Sequence, residues 1–216
     1  MEADLKKSFN KFSVVKINNR EALRKAKSGI PFNIRINEKN FQFVLKPNDI
    51  RSADYKAEYT DNNGRHSLPR GEVFTYQAAL IGERNSLVAL TVDGTKTEGY
   101  LATESEGFFI ESAKKYSSRA DDNDKIIYRV KDKVEGDDNI CGLDEAMAEG
   151  MKSASFNGDF NTAPGSRRGR RVLEVATEAS KEFVLEPIIG NGDPARANAH
   201  ILSVMNQVDA VYRRDL

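Results

Sequence analysis

The chain has 216 residues, which is long enough for one large domain or two small ones. Lysine plus arginine and aspartate plus glutamate each total 33, so the net charge is zero and gives no general reason to expect nucleic acid or an anionic membrane as a partner. Apolar residues make up 39% of the chain, enough for a packed core, but no apolar run approaches the roughly 20 residues of a membrane span.

Residues 1–29 are predicted to form a helical lead-in, because "EALRKAKSG" reads as a short helix that Gly29 ends. The next stretch, "PFNIRINEKNFQFVLKP", places apolar side chains at alternate positions, which is the period of a strand with one buried face. The polar segment Asn37–Asn40 divides it into a hairpin, and Pro47 stops the second strand.

Further strands are predicted in "YKAEYT", "EVFTYQAALIG", "SLVALTV", "GYLATESEGFFIESA" and "KIIYRVK", whereas the composition of "DNNGRHSLPRG" predicts a loop. Asp93-Gly94 indicates a two-residue hairpin turn, since glycine accepts a positive φ. Short strands at regular spacing favour an antiparallel, β-rich, sandwich-like domain over residues 30–135, within an α+β chain.

Residues 136–171 show no sustained hydrophobic period and are rich in Gly, Ser, Asn and Asp. Such a composition buries too little apolar area to offset its ordering entropy, so this segment is predicted to be a flexible linker. It contains the one cysteine of the chain, Cys141, followed by Gly142, and it ends in a cluster of four arginines, Arg167, Arg168, Arg170 and Arg171.

The arginine cluster has three interpretations. The first is a nucleic-acid-binding surface, which would require more positive charge and interleaved aromatic residues; both are absent. A plain solvated linker is the second. The third is a processing site, because "RGRR" is an R-x-R-R string in a stretch that a protease can bind in extended form. A cut after Arg171 would release a new N-terminus at Val172.

Beyond the linker, "VLEVATEASKEFV" is predicted to start as a strand, and "GNGDPARANAHILSVMNQVDAVYRRDL" as a long helix with Asp193 as its N-cap and Pro194 in its first position. A strand and a helix form a poor independent domain, so residues 172–216 are expected to be the truncated start of an α/β domain. The helix is predicted to bury one apolar stripe, made of Ala197, Ile201, Val204, Val208 and Val211.

Other candidate motifs are weak. The zinc-peptidase motif H-E-x-x-H is absent from the sequence, His66 is expected to be solvated in a loop, and His200 to lie at the edge of a core. "GNGDPA" satisfies the dinucleotide-binding pattern G-x-G-x-x-A, but Glu186 and Pro187 before it do not suit a buried strand. A turn followed by a helix cap is therefore the favoured interpretation.

The block "GEVFTYQAALIGERNSLVALTVDGTKTEGYLATESEGFFIESA" resembles the propeptide of reprolysin/adamalysin-type zinc metallopeptidases, which are metzincins. The shared features are Tyr-x-x-x-Leu-x-Gly, Asn-Ser-x-Val-Ala-Leu-Thr and Gly-Tyr-Leu followed by Phe-Phe-Ile-Glu. "RVLEVATEASKEFV" and "ANAHILSVMNQVDAVYRRDL" are similar to the first strand and first long helix of the catalytic domain of that family. The resemblance covers about residues 30–216.

The resemblance implies a secreted or cell-envelope zymogen in which the Cys141 thiolate occupies the open fourth position of the catalytic zinc and displaces the attacking water. Gly142 would allow close approach of the backbone. The zinc ligands would lie outside this chain, which is then expected to be inactive alone. Its implied partners are its own catalytic domain, a processing protease and the protein substrates of the parent enzyme. The alternative is a non-catalytic β-sandwich adhesion or ligand-binding module.

Overall fold

Antiparallel strands dominate the structure, a computed structural model that describes residues 1–134 and 174–215. The strands are β1 (Ser13–Lys16), β2 (Phe32–Ile36), β3 (Lys39–Phe43), β4 (Lys46–Pro47), β5 (Ala57–Asp61), β6 (Gly64–Leu68), β7 (Thr75–Ala78), β8 (Leu87–Val92), β9 (Thr97–Ala102), β10 (Gly107–Ser112) and β11 (Asp124–Tyr128). Seven of them form one sheet in the order β1-β11-β10-β9-β8-β7-β4, while β2–β3 and β5–β6 are separate hairpins.

The helices are α1 (Glu2–Leu5), α2 (Asn19–Ser28), α3 (Lys181–Leu185) and α4 (Pro194–Asp215), with short 3-10 helices at Ala113–Lys115 and Val130–Asp132. The prediction for α2 is confirmed. The Asn18 side chain accepts a hydrogen bond from the Glu21 backbone N–H at its start, and Gly29, with φ of 64°, ends it. No helix in the two described ranges is long and apolar enough to cross a membrane.

The main core lies on one face of the sheet, beneath α2 and the β2–β3 hairpin. Alternate residues of β2 and β3 point into it, as their spacing predicts, and the rings of Phe32 and Phe43 stack 5.4 Å apart. The architecture is therefore α+β, and the layer facing the large sheet is a hairpin with a helix rather than a second full sheet. The sheet contributes Val88, Leu90, Val92, Leu101, Phe108, Ile110 and Ile127 to this core.

The lead-in over residues 1–29 is only partly helical, because it also supplies β1. Strand β1 pairs antiparallel with β11, with Ser13 opposite Ile127, and so extends the large sheet. Before it, Leu5 and Phe9 are buried against Ile126 on the sheet face opposite the main core. A pairing between strands so far apart along the chain has no local signal in the sequence.

Two turn predictions need correction. The segment predicted to be a loop contains β6, because the sharp turn at 62–63 reverses the chain and lets residues 64–68 pair with 57–61. The hairpin at Asp93-Gly94 exists, but its loop has four residues, 93–96, instead of two. The Asp93 carboxylate accepts hydrogen bonds from the backbone N–H groups of Thr95 and Lys96 and thereby stabilises the longer turn.

The segment after the linker also differs from prediction. From Glu174 to Ser180 the chain is exposed and forms no strand, and the Ser180 hydroxyl caps α3 instead. Helix α4 begins as predicted, with Asp193 accepting a hydrogen bond from the Ala195 N–H at 2.8 Å. The chain from Glu178 on forms one compact unit with Met1–Val134. The predicted boundary at residue 172 lies outside the described residues and stays a prediction.

Candidate functional site

A buried polar interface joins α4 to the sheet, with Asn206 at its centre and 0% exposed. The Asn206 Nδ2 donates to the backbone oxygen of Tyr76 at 3.2 Å, and its Oδ1 accepts from Asn48 Nδ2 at 3.0 Å. The Gln77 side-chain amide donates to the backbone oxygen of Asn206 at 3.2 Å. Each polar group of this buried side chain therefore has a partner, as burial requires.

Asp209 lies one turn further along α4 and shares the same two amide donors. Its Oδ2 accepts from Gln77 Nε2 at 2.8 Å and from Asn48 Nδ2 at 3.2 Å. The Arg213 guanidinium also pairs with the carboxylate, at 2.8 Å. Asn48 and Gln77 thus bind two successive polar residues of the helix, which fixes both its rotation and its position along the sheet.

Two outer contacts extend the interface towards the start of α4. The hydroxyls of Thr91 and Ser203 lie 2.6 Å apart, with Thr91 donating, and both residues are buried. The Tyr55 hydroxyl donates to Asn198 Oδ1 at 2.8 Å. Near the other end of α4, a small apolar cluster packs around Ala210 and contains Leu87, Ala89 and Ala102 of the sheet.

The predicted apolar stripe of α4 is wrong in its central part. Ala197 is buried and Ile201 half-buried, but Val204 is 44% and Val208 38% exposed. The helix turns its polar face to the sheet because Asn48, Gln77 and Thr91 offer hydrogen bonds there. The two valines lie in a row on the outward face, and Tyr212, 61% exposed, continues this row.

A second polar cluster lies around Glu111. Its Oε2 accepts hydrogen bonds from the hydroxyls of Tyr116 and Tyr128 at 2.6 and 2.7 Å, and its Oε1 from Lys115 at 3.0 Å. Burial acts to raise the pKa of Glu111, but Lys115 and the two hydroxyls lower this pKa overall. Lys115 also pairs with Glu98 at 3.2 Å. Since its members satisfy one another, we interpret this cluster as structural.

Both histidines pack against neighbouring aromatic side chains. His66 lies on β6, 2.9 Å from the Asp61 carboxylate, with its ring stacked on Tyr59. Burial lowers the pKa of His200, whose ring meets Phe183 edge-on at 5.9 Å. "GNGDPA" forms the turn between α3 and α4, so the element directly before it is a helix and not a strand. Within residues 1–134 and 174–215, no group of three or more His, Cys, Asp or Glu could hold a metal ion.

The zinc-binding and processing predictions fall outside the part of the chain that the structure describes. This applies to Cys141 and Gly142, and to the cleavage residues Arg167, Arg168, Arg170, Arg171 and Val172. These assignments stay predictions. On the sheet side of the interface, no local sequence pattern singles out Asn48, Gln77 and Thr91. On the helix, the three-residue spacing of Ser203, Asn206 and Asp209 was a signal for a polar face.

No protein-family model matches this chain, and no curated protein matches it. The likeness to metzincin precursors therefore rests on the sequence features described above. The geometry of the α4 interface provides a separate line of argument about function.

Proposed function

We propose that this chain is the propeptide region of a secreted zinc metalloendopeptidase precursor, together with the first elements of its peptidase domain. The observation that supports this proposal is the double-faced character of α4. Its polar face binds the sheet through Asn206, while its apolar face, with Val204, Val208 and Tyr212, points outward. A helix that belongs to the peptidase domain but is bound by the propeptide domain needs one face for contact with each domain.

The remainder of the peptidase domain is the proposed occupant of the outward face. Exposed apolar side chains aligned along a helix are typical of a surface that another element covers. The polar face suits a contact that must later be released, because its hydrogen bonds exchange for bonds to water at a net free energy of only about 0.5–1.5 kcal/mol each.

Latency in this proposal depends on Cys141. Its thiolate would coordinate the zinc, held by three protein ligands outside this chain, and so exclude the water that a catalytic zinc activates. Following the family resemblance, the proposal assigns the zinc ligands to the rest of the parent enzyme. Cleavage after Arg171 would then break the covalent connection between the inhibitory segment and the peptidase.

The test compares two variants of the precursor expressed from its complete reading frame. Cys141→Ala should hydrolyse a protein substrate before any cleavage at the arginine cluster, because the zinc regains its water. Met147→Ala is the matched control, since it removes a sulfur without a thiol from the same segment, and it should stay latent. If uncleaved Cys141→Ala hydrolyses the substrate no faster than the control does, the proposed role of the thiolate is wrong.

The reading frame itself separates the proposal from the alternative of an adhesion or ligand-binding module. A zymogen must encode H-E-x-x-H-x-x-G-x-x-H after residue 216, and its mature form should begin at or near Val172 when its N-terminus is sequenced. A frame that lacks this motif would favour the module.

A further inference from the structure

We infer that the sheet surface formed by Asn48, Gln77 and Thr91 is a specific docking site for α4, and that it retains this helix noncovalently after the intervening chain is cut. The hydrogen bonds that hold the helix join residues 112 to 161 positions apart in sequence. They are contacts between two surfaces and do not depend on the peptide connection between them.

Asn206 is the residue that determines specificity at this site. Three sheet-side groups converge on it, the Tyr76 backbone oxygen and the side-chain amides of Asn48 and Gln77. An apolar residue in its place would remove the donor to the Tyr76 backbone oxygen and leave Asn48 Nδ2 with the Asp209 carboxylate alone. A buried polar group that loses its partner costs more than the hydrogen bond itself. A buried polar residue of this kind selects one partner and one register.

The register is fixed along the helix as well as around it. Displacing α4 by one turn would bring Leu202 or Ala210 to the position of Asn206, and both are unable to bond to Asn48. Ala210 in turn packs beside Ala89 and Ala102, where the small side chains allow the helix to approach the sheet closely. The partner that this surface fits is therefore a helix with Ser, Asn and Asp at three-residue spacing and Ala four residues after the Asn.

This inference rests on the proposed function for its biological meaning and extends it. A cut after Arg171 would leave the peptidase segment attached to the propeptide through α4, so that cleavage and release become separate steps. The physical statement, that the cut pieces stay together, can be tested without any peptidase activity. If the cut pieces separate, the docking inference is wrong, but the role of Cys141 is not affected. The two failures can therefore be told apart.

The experiment uses the full 216-residue chain with the recognition sequence of a site-specific protease inserted after Gly158. After complete cleavage, the two pieces should elute together in size-exclusion chromatography and appear as one complex in native mass spectrometry. Separation of the wild-type pieces at micromolar concentration would overturn the inference.

Two variants of α4 test the role of Asn206 in the same cut protein. Asn206→Leu should weaken the complex by roughly 30-fold, because it removes the side-chain bonds to the Tyr76 backbone oxygen and to Asn48 and buries that oxygen without this donor. Val204→Ser, on the outward face of the same helix, should leave the affinity unchanged. Equal affinities of the two variants would refute the assignment of specificity to Asn206.

A third variant provides a test that remains valid if Asn206→Leu does not fold. In Thr91→Val the side chain keeps nearly the same shape but loses the hydroxyl that bonds to Ser203. This variant should weaken the complex by roughly fivefold. Circular dichroism of each uncut variant should match that of the wild type. If Asn206→Leu fails this check, Thr91→Val alone decides: an affinity equal to that of the wild type would overturn the inference.

Discussion

Replacing Glu111 by glutamine should destabilise the fold measurably, although the two side chains have nearly the same size. Glu111 accepts hydrogen bonds from Tyr116, Tyr128 and Lys115. A glutamine amide has a single acceptor oxygen, so either the two tyrosine hydroxyls or the lysine must face its NH₂ group, which cannot accept.

The expected loss follows from the kinds of bond involved. A hydrogen bond to a charged group contributes about 1.5–3 kcal/mol and a neutral one about 0.5–1.5 kcal/mol, so each weakened bond loses about 1 kcal/mol. Lys115 retains its ion pair with Glu98, and the loss therefore falls mainly on the two tyrosine bonds. We expect the free energy of unfolding of Glu111→Gln to be lower by about 2 kcal/mol near pH 7.

The pH dependence of this loss has a defined sign. Because the pKa of Glu111 is lowered in the folded state, its carboxylate contributes stability that is fully present above the ordinary glutamate pKa of about 4.3. That contribution disappears as the pH falls through the lowered folded-state pKa. The difference between the wild type and Glu111→Gln should therefore shrink in acid.

Urea unfolding followed by far-UV circular dichroism measures these free energies, and the chain has no tryptophan to report by fluorescence. Glu104→Gln is the control, because it makes the same charge change at an exposed position and should stay within about 0.5 kcal/mol of the wild type. A loss at Glu111 no larger than that of the control, or one that is equally large in acid, would refute the argument from charge-assisted hydrogen bonds.

Two further substitutions test individual interactions by the same unfolding measurement. Lys125 is buried and donates to the Asp122 backbone oxygen. Because burial lowers its pKa, the unfolded state binds more protons, so this residue makes wild-type stability rise as the pH approaches 10.5 from below. Lys125→Met should lack this part of the rise; identical slopes in the two proteins would contradict the effect. Asn18→Ala removes the N-cap of α2 and should cost about 1 kcal/mol, whereas Asn18→Asp should retain most of the stability; equal losses would exclude a capping role.

Local signals in the sequence predicted the local elements well. The β2–β3 hairpin follows from alternating apolar residues and a polar turn, and α2 from its periodicity and from Gly29, whose positive φ ends the helix. The start of α4 follows from Asp193 and Pro194. In each of these cases the residues that determine the structure lie within a few positions of one another.

The candidate site could not be predicted in the same way, because it depends on pairs that only the fold brings together. The hydrophobic pattern of α4 predicts that Val204 and Val208 are buried. This prediction would be right if the sheet presented an apolar surface to the helix. The sheet instead presents Asn48 and Gln77, which are separated from Asn206 by 158 and 129 residues. Likewise, the strand predicted after the linker is not formed over the described residues 174–180, where every residue is exposed.

The pairing of β1 with β11 also has a consequence for the time course of biosynthesis. Lys16 emerges from the ribosome long before its pairing partner Asp124. At roughly 5–20 residues per second, the 108 residues from Ile17 to Asp124 take about 5–20 s to translate. During that interval β1 has no neighbour, and strand β10, once made, keeps an open edge until β11 follows it. The nascent polypeptide therefore exposes an unpaired strand edge, the kind of surface on which chaperones act and from which aggregation starts.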